Sequence, residues 1–177
     1  MSWQTIALFA AMEFVFSITP GPAVLLISAY GFKSGVRASL AANLGIQTGN
    51  TIYLLLSAAG LGAILATSET AFTVVKYMGA AYLVFLGVRT IWKAGTTHDA
   101  VRVRTLDHPY VQAVLTQLGN PKSVLFFGAL LPQFLDTHRL LWPQYLIMWA
   151  IVAVGETIIL GGYGWLAARG AQFVSTR

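Results

Sequence analysis

Residues 16–27 read FSITPGPAVLLI, and this stretch places Pro20, Gly21 and Pro22 inside an otherwise apolar segment. Each proline lacks a backbone N–H and crowds the turn before it, so a helix that contains both must break and leave backbone groups unpaired. Hydrocarbon cannot satisfy such groups, and a break at membrane depth is tolerated only where it faces protein or a water-filled cavity. The stretch therefore predicts a broken membrane helix.

A second break of the same kind lies one hundred residues further on. Residues 118–125 read LGNPKSVL and align with residues 18–25, ITPGPAVL, so that Val24 and Leu25 recur as Val124 and Leu125. The tetrapeptide at 49–52, GNTI, likewise recurs as GETI at 155–158. Paired broken helices in the two halves of a chain point to a substrate site of a transporter. The sequence is therefore predicted to contain a repeat.

The composition indicates a membrane protein. Hydrophobic residues make up 56% of the chain, charged residues only 10%, and the mean hydropathy is +0.69, outside the range of soluble domains. We predict a single transmembrane domain over residues 1–177, an all-α bundle of five spans at about 6–30, 40–66, between Lys76 and Arg89, 110–135 and 140–168. Gly45 and Gly49 in the second span predict close contact with another helix. The absence of cysteine excludes a thiol-disulfide carrier.

The positive charges predict the orientation of the spans. Lys and Arg number eight in the first, third and fifth connections and one, Arg139, in the fourth. By the positive-inside rule the N-terminus lies outside and the C-terminus of this chain is cytoplasmic. The net charge of +5 is thus explained by topology, and no nucleic-acid partner is expected.

The repeat predicts an inverted 3+3 architecture that lacks its sixth helix. Repeat one covers about residues 1–92 and an incomplete repeat two about 110–177. Because three spans per repeat is an odd number, the two halves must insert in opposite directions. One flank of span four or five would then lack a cover, and Glu156, Thr157, Gly161, Gly162 and Gly164 suit a protein contact there. The chain is therefore expected to be either a truncated product or a homo-oligomer that covers this surface with a neighbour.

Several motifs together resemble the LysE/RhtB family of amino-acid exporters. They are TPGP at 19–22, the basic glycine-containing loop at 31–42, GIQTGN at 45–50, MGAAYLVFLGVR at 78–89, NPKSVLFF at 120–127 and LPQF at 131–134. The resemblance implies an inner-membrane protein that exports amino acids or close derivatives. Two departures are Ala23, where the family often carries Asn or Asp, and five predicted spans where the family is usually read as six.

The breaks also predict how a substrate is bound. Helix N-termini attract anions, so the amides around 23–25 and 123–125 can cradle a carboxylate. Asn50, at the position equivalent to Glu156, is either a ligand or a helix–helix hydrogen bond. The predicted substrate-binding residues are Pro20, Gly21, Pro22, Ala23, Asn50, Asn120, Pro121, Lys122 and Ser123.

Three charged residues inside spans are candidates for function. Lys122 opposes the dipole of the helix it begins, so it is expected to pair with Glu13, Glu156 or the substrate carboxylate, unless it extends to an interface. Glu13 and Glu156 are the only acids within spans and are candidates for ammonium binding or proton relay. For Glu13, solvation at the outer interface is the alternative.

These observations favour a secondary transporter that exports amino acids, with proton coupling because the chain has no nucleotide-binding loop. An inactive or truncated relative that acts only as a membrane interaction protein stays open. An intramembrane enzyme is disfavoured, because no hydrolase motif and no in-span histidine is present. His98 and His108 lie among loop charges, so neither a metal site nor a cofactor is expected. The expected partners are an amino-acid substrate and the lipid bilayer.

Overall fold

The computed structural model describes residues 1–67, Tyr77 and residues 105–175, and every regular element in these ranges is helical. The all-α prediction is therefore confirmed for this part of the chain. The third predicted span and most of the long polar loop lie outside the described residues. The elements are α1 (Trp3–Ile18), α2 (Pro22–Thr67), α3 (Pro109–Leu118), α4 (Pro121–Leu125), a π-helical turn (Phe126–Leu130), a 3₁₀ helix (Leu131–Phe134) and α5 (Leu141–Ser175).

Within the described residues, one helix is long and apolar enough to cross a membrane alone, and it covers Leu141–Val174 of α5. The pair α1 and α2 passes the same test together, although it is bent by 54° at the first break. Thr19 there is extended (φ −67°, ψ 123°) because proline follows it. Pro22 does not interrupt a helix as predicted, since it is the first residue of α2, where a missing N–H is tolerated.

Gly35 divides α2 into two arms, residues 22–34 and 36–67. Its φ of 81° lies in the left-handed region, which glycine adopts without a steric penalty. The predicted loop at 31–42 is wrong, because the chain is helical on both sides of this one residue. Lys, Arg, Ala and Leu near the turn are good helix formers, so the helix continues up to Gly35 and resumes directly after it. The chain therefore reverses at this single glycine.

Glycines allow α2 to pack against both neighbouring helices. A Cβ added to Gly45 would lie 2.3 Å from the Tyr110 carbonyl oxygen, and one added to Gly49 would lie 2.7 Å from Gln117 Cβ. The predicted close contact of Gly45 and Gly49 with another helix is thus confirmed, and that helix is α3. On α5, a Cβ added to Gly164 would lie 2.9 Å from Ser39 Cβ.

The contact between α2 and α5 corrects the prediction of an uncovered flank on span five. Gly164 packs against the first turn of the second arm of α2, and Glu156 is hydrogen-bonded to Asn50. Gly162, by contrast, has no atom within 4 Å of a Cβ added there. The same chain therefore covers part of the surface that we expected an oligomer to cover.

Two apolar clusters fill the two ends of the bundle. The N-terminal-end cluster includes Phe9, Leu54, Phe126, Phe127, Leu131, Leu135, Tyr145, Met148 and Val152. The basic-end cluster includes Ala23, Val24, Leu26, Ile27, Tyr30, Ala42, Ile46, Ala113 and Leu160. We call the end near the Gly35 turn the basic end, because Lys33 and Arg37 flank this turn. Met1 packs against the other cluster, so the N-terminus lies at the opposite end.

Candidate functional site

A layer of polar side chains lies between the two apolar clusters. On α1, Phe9 belongs to the N-terminal-end cluster, and Glu13 and Ser17 follow it at four-residue intervals on the same face. On α5, Glu156 lies four residues after Val152 and four before Leu160, one from each cluster. We call this set the polar layer: Glu13, Ser17, Gln47, Asn50, Gln117, Asn120, Lys122, Ser123 and Glu156.

Hydrogen bonds connect the polar layer across three elements. Asn50 donates through Nδ2 to the Glu156 carboxylate, so the second residues of the similar tetrapeptides GNTI and GETI contact each other. Gln117 Nε2 donates to Asn50 Oδ1 at 2.5 Å, and Asn120 Nδ2 donates to Gln117 Oε1 at 3.3 Å. Asn50 also donates to Gln47 Oε1 at 3.3 Å. Asn50 thus forms the hydrogen bond between helices that was its alternative role, and its role as a substrate ligand stays a prediction.

Gln117 is the central residue of this chain of hydrogen bonds and was not among the predicted site residues. Its side chain is only 2% exposed, and it joins Asn50 to Asn120. A signal was present in the sequence, because Gln117 is a polar residue in an apolar span and precedes Asn120 by three positions. Residues three apart share a helix face, so this spacing favours two amides on the same side.

Lys122 contacts the first break rather than an acidic side chain. Its ammonium donates to the Phe16 carbonyl oxygen and, at 3.0 Å, to the Thr19 carbonyl oxygen. It also lies 4.3 Å from the centroid of the Phe16 ring. Carbonyls at a helix C-terminus lack intrahelical donors and carry partial negative charge, so they hold a cation well.

This contact corrects the predicted pairing of Lys122. Among the described residues the only ion pair joins Arg139 and Asp136 at 3.2 Å, so Lys122 forms none with Glu13 or Glu156. Lys122 does not extend away from the bundle either, because its ammonium is held by the carbonyl oxygens of Phe16 and Thr19. The lysine instead connects the two breaks to each other.

The two breaks differ in the backbone amides that they leave free. At the second break, Asn120 accepts from the Lys122 amide through Oδ1 at 3.1 Å and from the Ser123 and Val124 amides through its carbonyl at 3.0 and 3.1 Å. The predicted carboxylate cradle at 123–125 is therefore wrong. At the first break, no hydrogen bond of the described residues is donated by the amides of Ala23 or Val24.

Glu13 is buried, with 3% of its surface exposed, and accepts a hydrogen bond from Ser17 Oγ at 2.5 Å. The alternative of simple solvation at the interface is thus wrong. Glu13 also lies on a groove of about 450 Å³ between α1 and α5, whose other walls are mainly apolar. Glu156 is half-buried beside the two breaks.

A small cavity lies where the two breaks meet. It includes residues of both breaks and Glu156, and its volume of about 20 Å³ holds about one water molecule. Of the predicted site residues, the cavity is lined by Gly21, Ala23, Asn120, Lys122, Ser123 and Glu156.

The other predicted residues do not line this cavity. Pro20, Pro22 and Pro121 are exposed and shape the breaks, whereas Asn50 reaches the site through Glu156. Among the described residues, no three His, Asp or Glu side chains are grouped so that they can hold a metal ion.

Comparison with known proteins identifies the family. An uncharacterised membrane protein of Vibrio cholerae is 37% identical over 167 residues, which are 90% of this chain and 79% of the relative. The homoserine/homoserine lactone efflux protein of Salmonella typhimurium is 32% identical over 160 residues, 89% of this chain and 78% of the relative. The leucine efflux protein of Salmonella choleraesuis is 29% identical over 122 residues, 67% of this chain and 58% of the relative. No solved structure matches the chain.

The family assignment covers most of the sequence. Residues 14–177 match the LysE type translocator family, and this range contains both breaks and nearly all of the polar layer. The resemblance drawn from the motifs is thereby confirmed. The chain belongs to the LysE type translocator family, and is a membrane transport protein rather than an enzyme.

Proposed function

We propose that this chain is a secondary transporter that exports amino acids or close derivatives across the bacterial plasma membrane. The observation that carries the proposal is that both helix breaks meet in one polar layer between two apolar clusters. Two relatives named for the efflux of homoserine, its lactone or leucine support the substrate class. The family and the connected polar layer favour neither an inactive relative nor an enzyme.

The first break is the proposed site for the substrate carboxylate. The amides of Ala23 and Val24 begin α2, where the helix dipole is positive, and both have lost an intrahelical acceptor to the break. Lys122 adds a full positive charge on the same cavity, with its Cδ 3.7 Å from a Cβ built on Gly21. The positive end of the α2 dipole and the Lys122 ammonium can together bind one carboxylate.

Glu156 is the proposed partner of the substrate ammonium. It lines the same cavity, and Asn50 donates to one of its oxygens, which fixes the orientation of the carboxyl group. Gln117 in turn positions Asn50. A carboxylate has about four acceptor positions, so Glu156 can accept from a substrate ammonium while amide side chains donate to it.

Transport requires the cavity to widen, since a volume of about 20 Å³ cannot hold an amino acid. We propose that it opens to the two ends alternately, as in transporters with inverted repeats. Proton coupling is assigned to Glu13 and Glu156. An ionised carboxyl group is costly to bury. Its presence inside a span is explained if it binds and releases a proton in each transport cycle.

The inverted repeat is proposed as the architectural basis, with repeats of about 1–92 and 110–177 in one domain. The breaks at 19–21 and 119–120 support it, because they occupy aligned positions and contact each other through Lys122. The basic end is proposed to be cytoplasmic. Lys33 Nζ contacts Thr105 Oγ1 at 2.9 Å, so the first and third connections lie at the same end of the bundle. The proposed orientation requires this, because it places both connections in the cytoplasm.

Efflux from proteoliposomes tests the proposal. Vesicles that contain the purified chain are loaded with labelled homoserine or leucine, and release is followed with and without an imposed proton gradient. We expect release above that of protein-free vesicles and a further increase when protons flow inward against the exported substrate. Release no faster than from protein-free vesicles, for every amino acid tested, would overturn the proposed function.

A further inference from the structure

Two tyrosine hydroxyls hold the two helix breaks. Tyr163 of α5 donates to the Ile18 carbonyl oxygen at 3.0 Å, and Tyr53 of α2 donates to the Leu118 carbonyl oxygen. Ile18 and Leu118 are the last residues of α1 and α3, and they occupy the same position in the aligned breaks. The last carbonyls of a helix have no intrahelical donor, so each hydroxyl satisfies a group that the break leaves unpaired.

The two tyrosines lie on opposite sides of the polar layer. The Tyr163 ring packs against the basic-end cluster. The Tyr53 ring packs against the N-terminal-end cluster, where it stacks on Phe127 with a centroid distance of 6.0 Å and an interplanar angle of 13°. One of the two tyrosine hydrogen bonds therefore lies on each side of the polar layer.

We propose that Tyr163 and Tyr53 are paired latches, which close the cavity toward the basic end and toward the N-terminal end, respectively. The proposal rests on alternate opening, the central step of the proposed function. Residues of both breaks form most of the cavity lining, so movement of either break widens it. Each break is tied to a different long helix, α5 or α2, and Lys122 joins the two breaks through a long, flexible side chain, so one break can be released while the other stays closed.

A merely structural role for these hydroxyls predicts a different behaviour. If each bond only stabilised the fold, its loss would loosen the whole bundle and expose the cavity to both ends equally. The latch role instead predicts that each loss opens one end. Hydrogen bonds between membrane helices contribute about 0.6 kcal/mol on average, so removal of one hydroxyl shifts the balance between closed and open forms about threefold.

Cysteine labelling measures this directly, because the natural chain contains no cysteine. A Ser123→Cys substitution places a thiol in the cavity with the change of a single atom. Membrane-impermeant thiol reagents are added to vesicles of either orientation, and Lys33→Cys in a separate sample identifies the basic end. Tyr163→Phe and Tyr53→Phe are then compared in the Ser123→Cys background.

We expect Tyr163→Phe to raise the labelling rate of the cavity thiol about threefold from the basic end only, and Tyr53→Phe to do so from the other end only. Tyr110→Phe is the matched control. It removes a tyrosine hydrogen bond between α3 and α2, to Thr48 at 2.9 Å, outside the polar layer, and should change neither rate. Equal increases from both ends, or no increase in either variant, would overturn the latch proposal. The assay needs no substrate, so a failure of the proposed efflux leaves its result interpretable.

Discussion

Replacement of Gln117 with leucine tests whether the hydrogen-bonded chain in the polar layer supports transport. Leucine keeps carbon atoms at Cβ and Cγ, which pack against Gly49, and replaces the amide with apolar methyl groups of similar volume. Two hydrogen bonds are lost, one to Asn50 and one from Asn120. Asn50 Oδ1 is then left without its donor in a buried site, which costs about 1–3 kcal/mol.

The expected result is a lower free energy of unfolding, by about 1–3 kcal/mol, together with an efflux rate reduced about fivefold or more. Efflux falls because an Asn50 side chain without Gln117 no longer holds Glu156 in one orientation. The measurements are unfolding in detergent and efflux at equal protein content. Thr116→Val, at the neighbouring position of α3 and outside the polar layer, is the control. Wild-type efflux by the leucine variant would refute the reasoning.

Three further changes probe other parts of the molecule. Pro121→Ala removes the restriction that keeps Asn120 extended, so efflux should fall several-fold while the amount of protein inserted in the membrane is unchanged; normal efflux would contradict a role for the break. Gly45→Ala should be about 1–3 kcal/mol less stable than Gly162→Ala, because its Cβ meets a backbone oxygen at 2.3 Å whereas Gly162 has open space. Thermal unfolding compares them, and equal midpoints would count against the close contact of α2 and α3. Glu156→Gln should lose acceleration by a proton gradient, and an unchanged response would remove Glu156 from coupling.

The sequence predicted the two breaks well because their causes are local. A proline restricts the residue before it, and both Thr19 and Asn120 are indeed extended. Gly45 and Gly49 were equally readable, since glycines one turn apart permit close packing wherever the partner helix is. The turn at Gly35 was predicted in the right region but far too long, because nothing in residues 31–42 except this glycine ends a helix.

The partners of side chains could not be predicted, since they depend on how the elements are placed in three dimensions. The dipole argument assigned an anion to Lys122, but the nearest negative groups are the carbonyls at the end of α1. Both breaks were expected to leave backbone amides free. Asn120, however, caps the helix that follows it, α4, and the first break has no residue that does the same for α2. Small sequence differences between the two aligned breaks thus leave different backbone amides free.

Direct binding of a labelled amino acid to the purified chain tests the central claim, that the cavity between the two breaks is the substrate site. Lys122 is the only cation among the cavity residues, so Lys122→Met should weaken binding about tenfold or more, which is at least about 1.4 kcal/mol. Lys33→Met, which removes an exposed lysine at the basic end, should bind as the natural chain does. Equal affinity of all three proteins for an amino acid that the chain exports would contradict the account.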